Sequence, residues 1–156
     1  MFETIVVPLD GSELSEEALP LANEVAAKFG SRILLVRVVD SVAMLVAQTP
    51  ALLDAPAAAA ANVELIEEVA KAERDEAAAY LATVQAKLAG RTTEAIIVEG
   101  GAAEEISRVA AERGAGLVVM CTHGRGGLGR LLYGSVADAV LRHGATPVLL
   151  ARPKSS

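Results

Sequence analysis

Thr4-Ile-Val-Val-Pro-Leu9, followed at once by Asp10-Gly11-Ser12, is the stretch that decides the fold. It is short, rich in β-branched residues, apolar on both alternating faces, and closed by turn formers. That combination marks a strand buried on both sides. Such strands belong to parallel sheets, in which crossover helices cover both faces. Four further runs have the same character: Ser31 to Val39 (SRILLVRVV), Thr93 to Val98 (TEAIIV), Gly116 to Cys121 (GLVVMC) and Pro147 to Ala151 (PVLLA).

Helical segments separate these runs. Leu14 to Phe29 places apolar residues at 18, 21, 22, 25, 26 and 29 and stops at Gly30, and Pro20 is expected to bend it just past its first turn. Val63 to Leu88 reads as a long helix with acidic residues early, Lys87 late and Gly90 beyond its end. Ala102 to Arg113, closed by Gly114, and Ser135 to His143, closed by Gly144, complete the set. Ser41 to Asn62 holds Pro50, Pro56 and the alanine run 57–61, and is read as a variable loop with a helical piece. The order β-α-β-α-β-α-β-α-β predicts an α/β fold, an open, doubly wound, five-stranded parallel sheet with helices on both faces. Sheets of this kind bind ligands beyond the carboxyl ends of the strands, where strand order reverses. That rule points to Asp10, the Val38–Asp40 end, Gly100–Gly101 and the segment after Cys121.

A chain of 156 residues fits one domain, spanning 1–156. Hydrophobic residues make up 53% of it, which argues against disorder, and with aromatics at 3% and no Trp the core must rest on Val, Leu and Ile. The net charge of -6 disfavours nucleic acid and anionic membranes as partners. No apolar run reaches membrane-spanning length free of charge, and the first residues lack a basic leader, so a cytoplasmic location is expected. The lone cysteine, Cys121, rules out an intrachain disulfide framework. Cys121 and His123 have no carboxylate or second histidine nearby, so no metal site is expected. The acidic residues of the long helix read as a solvated face, and no nucleophile elbow appears, so no catalytic residue is assigned.

The segment Cys121-Thr-His-Gly-Arg-Gly-Gly-Leu-Gly-Arg-Leu-Leu-Tyr-Gly-Ser135 follows a buried strand and leads into the last helix. Its glycines let backbone N–H groups approach a ligand, and the helix beginning at Ser135 adds uncompensated donors that suit phosphate. His123, Arg125 and Arg130 make it the most basic short window of an acidic chain. It lacks the Gly-Lys-Ser/Thr of a Walker loop. Its local G-x-G-x-x-G follows the fourth strand, without the acidic residue of a dinucleotide fingerprint. The longer pattern, Gly124, nine residues, then Gly134-Ser135, remains.

That pattern resembles the G-x2-G-x9-G-(S/T) motif of the universal stress protein family, with Cys121 where the family has its first glycine. Ile5-Val-Val-Pro-Leu-Asp-Gly-Ser12, Val118-Val-Met120 with Thr122-His-Gly-Arg125, and Gly134-Ser-Val-Ala137 through Pro147-Val-Leu-Leu150 are similar to the family's first strand and turn, strand-to-loop signature, and last helix and strand. The resemblance implies a Rossmann-like sheet of the adenine nucleotide alpha hydrolase type that binds ATP, with or without Mg2+. Asp10 and Val38 would then lie by the adenosine, with Pro8 shaping the first turn. Met120 and Cys121 would meet the ribose side. Gly124, Gly134, Ser135 and Val136 would hold phosphates, and Arg125 would reach the outer ones. Backbone conformation at 121 would decide whether cysteine is tolerated there. The resemblance also implies a stress-response or regulatory role, slow or absent ATP hydrolysis, and a homodimer joined through the C-terminal strand. Two alternatives stay open: an interaction module that binds no nucleotide, and a weak ATP hydrolase or dinucleotide-dependent enzyme.

Overall fold

The computed structural model describes residues 1–48, 59–121 and 134–153. Its elements are β1 (Thr4–Pro8), α1 (Glu13–Glu16), α2 (Ala18–Phe29), β2 (Arg32–Val39), α3 (Val42–Gln48), α4 (Ala59–Lys87), β3 (Thr93–Glu99), α5 (Ala102–Glu112), β4 (Leu117–Cys121), α6 (Ser135–His143) and β5 (Val148–Ala151). The strands form one sheet in the order β3-β2-β1-β4-β5, and every pairing is parallel. The expected doubly wound α/β architecture is present, and strand order reverses between β1 and β4.

Alternation along each strand divides the core into two layers. Ile5 and Val7 of β1, Ile33 and Leu35 of β2, and Leu117 and Val119 of β4 pack with Leu19, Ala22 and Ala26 of α2 and with Leu81 and Val84 of α4. Val6, Leu34, Val36, Val118 and Met120 face the other way, onto Ile106, Val109 and Ala110 of α5 and Ala137 and Val140 of α6. Right-handed crossovers require this change of face, because the chain runs outward from β1 to β3 and then returns to β4 and β5.

Two expectations need correction, the single helix from Leu14 to Phe29 and the start of the long helix at Val63. Leu14 to Phe29 is not one helix bent at Pro20. The chain breaks earlier, at Glu17, between the single turn α1 and α2. Pro20 lies in the first turn of α2, where its missing N–H would have had no partner within the helix. Within Ser41 to Asn62 the expected helical piece is α3 at Val42–Gln48, capped by the Ser41 hydroxyl, which accepts from the Met44 N–H at 3.2 Å. The long helix begins at Ala59, four residues before Val63, since alanine propagates a helix readily. Residues 49–58 lie outside the described set.

Pro8 opens the sheet at its carboxyl edge. The Leu9 N–H bonds the Val36 carbonyl at 2.8 Å on the β2 side, and the Gly116 N–H bonds the Thr4 carbonyl at 3.0 Å on the β4 side. Alternation therefore aims the nitrogen of Pro8 at β4, and proline has no hydrogen to donate. The β1–β4 register covers Ile5↔Leu117 and Val6↔Val118 and stops there, whereas β1–β2 continues to Pro8↔Val36. A strand that is central at its start is thus unpaired on one side at its end.

At the opposite end of the sheet the backbones touch. A Cβ on Gly116 would lie 2.1 Å from the Met1 carbonyl oxygen. Gly116→Ala is expected to cost about 1–3 kcal/mol by overpacking, read as a lower urea midpoint with unchanged slope. The Ser31 hydroxyl is buried and has no hydrogen-bond partner, so Ser31→Ala should leave that midpoint unchanged or raise it.

Candidate functional site

A cleft lies over the carboxyl ends of β1, β2 and β4, where the Pro8 gap leaves room. Its walls include Pro8 and Asp10 from the end of β1, Val36 and Val38 from β2, and Met120 and Cys121 from β4. The first turns of α5, through Ala102 and Ile106, and of α6, through Gly134, Ser135 and Val136, close it. The structure thus brings Pro8, Asp10, Val38, Met120, Cys121, Gly134, Ser135 and Val136 to one place. Gly124 and Arg125, with His123 and the rest of 122–133, lie outside the described residues.

Asp10 is held by its own turn. The Ser12 N–H and hydroxyl both donate to its Oδ1, at 2.9 and 2.5 Å. The Ser12 hydroxyl in turn caps α1 by accepting from the Ser15 N–H at 3.1 Å. Ser12, and not Asp10, is therefore the N-cap, while Asp10 makes an Asx turn in front of it. Burial pushes the Asp10 carboxyl upward. The Ser12 hydroxyl and N–H, the Ser15 hydroxyl and the charge of Arg37 together outweigh it, so the group titrates below its ordinary value. The Tyr80 hydroxyl of α4 is buried close to this turn, and burial with the nearby Glu16 charge pushes it up to about 12.

The two helix N-termini at the cleft differ in charge. Neither has a side-chain cap, since Gly101 precedes α5 and Gly134 precedes α6. The first turn of α5 carries Glu104 and Glu105; Glu105 is paired with Arg108 at 2.5 Å, while a Glu104 oxygen lies 2.3 Å from where a Cβ on Gly101 would be. The α5 dipole is thus answered by the helix's own Glu104. The one acid in the first turn of α6, Asp138, accepts from Arg142 at 2.8 Å. An anion is therefore better received at Gly134-Ser135-Val136. Gly134 has φ 57° and ψ 149°, a conformation that side-chain-bearing residues avoid.

Cys121 is the last residue of β4 and pairs with Ala151 in the parallel ladder. Its backbone is therefore extended, with negative φ, and a cysteine is accommodated without backbone strain. The thiol is half-buried. Sequence reasoning missed Ser15, Arg37, Ala102 and Ile106 as cleft residues. Arg37 did leave a signal, as the one charge inside the apolar run Ile33 to Val39. Among the described residues no group of His, Cys, Asp and Glu could hold a metal ion, and no helix is long and apolar enough to cross a membrane.

The family model of the universal stress protein family matches residues 1–152. The chain is 34% identical over 152 residues to universal stress protein MJ0531 of Methanocaldococcus jannaschii, covering 97% of this chain and 83% of that one. Among solved structures, MJ0577 of the same organism superposes with a TM-score of 0.76 at 26% identity, covering 100% of this chain and 99% of that one. The universal stress protein from Archaeoglobus fulgidus in complex with dAMP shares the fold, with a TM-score of 0.55 at 17% identity, covering 96% and 97% of the two chains.

Because the Asp10 pKa is lowered on folding, its contribution to stability is present above the unfolded-state pKa and fades as pH falls through the folded value. Asp10→Asn should therefore lower the urea midpoint at pH 7. The gap from the wild-type chain should narrow below roughly pH 4. A gap that stays constant down to pH 3 would contradict this account of the turn.

Proposed function

The chain belongs to the universal stress protein family, and on that premise we propose that it binds an adenine nucleotide, in the first instance ATP, in the cleft over β1, β2 and β4. The observation that carries this reading is the polarity of the cleft. Its β2–α5 end is largely apolar, lined by Val36, Val38, Ala102 and Ile106 with Arg37 beside them, and suits a flat base. Its β4–α6 end presents the first turn of a helix whose only acid is already paired. Asp10 lies between, on β1. Both Ser12 donors take Oδ1, which leaves Oδ2 to accept from a ribose hydroxyl. Base, sugar and phosphate thus each meet a suitable wall in the order in which a nucleotide presents them. A relative of the same fold in complex with dAMP supports the choice of adenine nucleotide.

In this reading Pro8 keeps the β1–β4 gap open, and Met120 and Cys121 floor the ribose side. Gly134, Ser135 and Val136 bind phosphate through backbone N–H groups, helped by the Ser135 hydroxyl. Gly124 and Arg125 would complete the phosphate end, and any Mg2+ would arrive on the phosphates. Among the described residues lining the cleft, Asp10 is the only carboxylate, and it stands at the nucleoside end. That favours binding with slow or no hydrolysis over an efficient ATPase. The protein would act as a single cytoplasmic domain in a stress-response or regulatory role, with the nucleotide selecting one of its conformations.

The sheet edges favour a particular dimer. At the β3 edge, Glu94 and Glu99 carry charge and are bridged by Arg113 at 2.8 Å and Arg74 at 2.5 Å. Such charges oppose strand pairing. Edge strand β5, Val148-Leu-Leu-Ala151, has no charge and suits an isologous contact with a second copy.

Mass analysis of freshly purified protein is expected to release an adenine nucleotide, and calorimetry to show ATP binding. Gly134→Val should abolish binding, because valine avoids the Gly134 conformation, while Ser135→Ala should weaken it only severalfold, as the loss of about one hydrogen bond. Unchanged ATP affinity in Gly134→Val would overturn the site. Sedimentation at micromolar concentrations should give a dimer, and a monodisperse monomer would overturn the β5 contact.

A further inference from the structure

The helix α4 is longer than its place in the sheet requires. The crossover helices α2 and α5 have 12 and 11 residues, and α4 has 29. Its core residues, Leu81, Val84 and Leu88, all lie in its second half. Arg74 pairs with Glu99, the last residue of β3, and so marks the level of the sheet's carboxyl edge. The turns from Ala59 to Glu73 therefore run past that edge, by about 20 Å at 1.5 Å per residue. The short helix α3, which follows the end of β2, packs on α4, and Ile66 and Ala70 on this stretch are buried. The two helices make an arm beside the sheet. The arm is unusually apolar for its exposure. α3 has six apolar residues and no charge in Val42–Gln48, yet none of them is buried. On α4, Leu65 and Val69 are 53% and 51% exposed, and exposed Ala72 follows at the spacing of one helix face.

The border of this stripe is acidic. Helical spacing sets Glu64, Glu68 and Asp75 along one side of it, Glu76 at its end and Glu73 on the other side. None of these carboxylates is in an ion pair among the described residues. The cations of the same stretch, Lys71 and Arg74, point away from the stripe, and Arg74 is already taken by Glu99. We propose that the arm is a docking surface for a basic amphipathic helix of another protein, whose apolar face covers Leu65, Val69 and Ala72 and whose lysines and arginines meet the acidic border. From Leu65 to Glu76 the stripe runs about 16 Å, the length of three turns of a partner helix. Charge complementarity selects that partner. A second copy laid arm to arm would bring a second set of carboxylates to the same seam. Nucleic acid and anionic lipid would be repelled by them.

The test titrates the full, nucleotide-free chain with a synthetic peptide of about 18 residues, with leucines on one helical face and lysines beside them, and with a scrambled peptide of the same composition. The patterned peptide should bind at least about tenfold more tightly than the scrambled one, and raising salt from about 0.05 M to about 0.3 M should weaken it about threefold or more. Leu65→Gln with Val69→Gln should weaken it about tenfold and leave the urea midpoint unchanged, since both side chains are half-exposed and glutamine keeps the helix. Glu68→Gln with Asp75→Asn should weaken it about twofold to fivefold and flatten the salt dependence. Equal affinity for the two peptides overturns the proposal, because charge alone then suffices. So does unchanged affinity in the double glutamine variant. A urea midpoint that falls in that variant as for a buried leucine would mean that the chain covers its own stripe. Sedimentation in which the wild-type chain forms an assembly that the variant loses would mean that a second copy covers it. Either result also overturns the proposal.

Discussion

The first strand carries more of the structure than its length suggests. It is the central strand, pairing with β2 on one side and β4 on the other, and its alternate side chains feed both core layers. Its last residue is the one amino acid that cannot donate toward β4. A strand that joined both neighbours to its end would zip the sheet shut over the point where strand order reverses. By ending the ladder to β4 at Val6 while keeping that to β2 through Pro8, the chain makes a crevice out of a packed core. The other cleft features are arranged around that gap: the Asp10 turn, the end of β2, and the first turns of α5 and α6.

The crevice is also sorted by charge. Two helices present their N-termini to it, and an anion would have a choice of both if dipoles alone decided. Glu104, beside Gly101, closes one of them. Pairing of Asp138 with Arg142 leaves the other receptive. On the proposed reading, a nucleotide would therefore have one favourable direction in which to lie. The Cys121 position fits the same picture. Because β4 pairs with β5 through Cys121↔Ala151, the backbone there is extended, and the residue contributes a small side chain to the wall without strain.

The strands were legible because buried parallel strands write themselves as continuous apolar runs; Asp10 and Val38 could be placed by the rule for carboxyl ends, and Gly134-Ser135 by the glycine pattern at the start of the last helix. What escaped was local. The break at Glu17 has no apolar signature, since both α1 and α2 continue a helical pattern, and Pro20 drew attention to the wrong residue. Ser12 and Asp10 are both competent caps, and only the geometry of the turn assigns the cap to Ser12. Ala102 and Ile106 look like ordinary core residues of α5 in sequence, and become cleft residues only because the sheet opens beneath them. Arg37 was visible as an anomaly, but its place in the cleft depends on the β1–β2 register.

The strand order has a consequence for the life of the chain during synthesis. β1, β2 and β3 are neighbours in sequence and in space, so that part of the sheet can assemble once residue 99 has emerged. The cleft cannot. Its other wall comes from β4 and α6, which are made after β3 and must dock back against β1. A ligand that binds this cleft therefore stabilises only chains complete to about α6, and contributes nothing to an unfinished or truncated one. The receptive helix terminus at Gly134 exists only once α6 has been made.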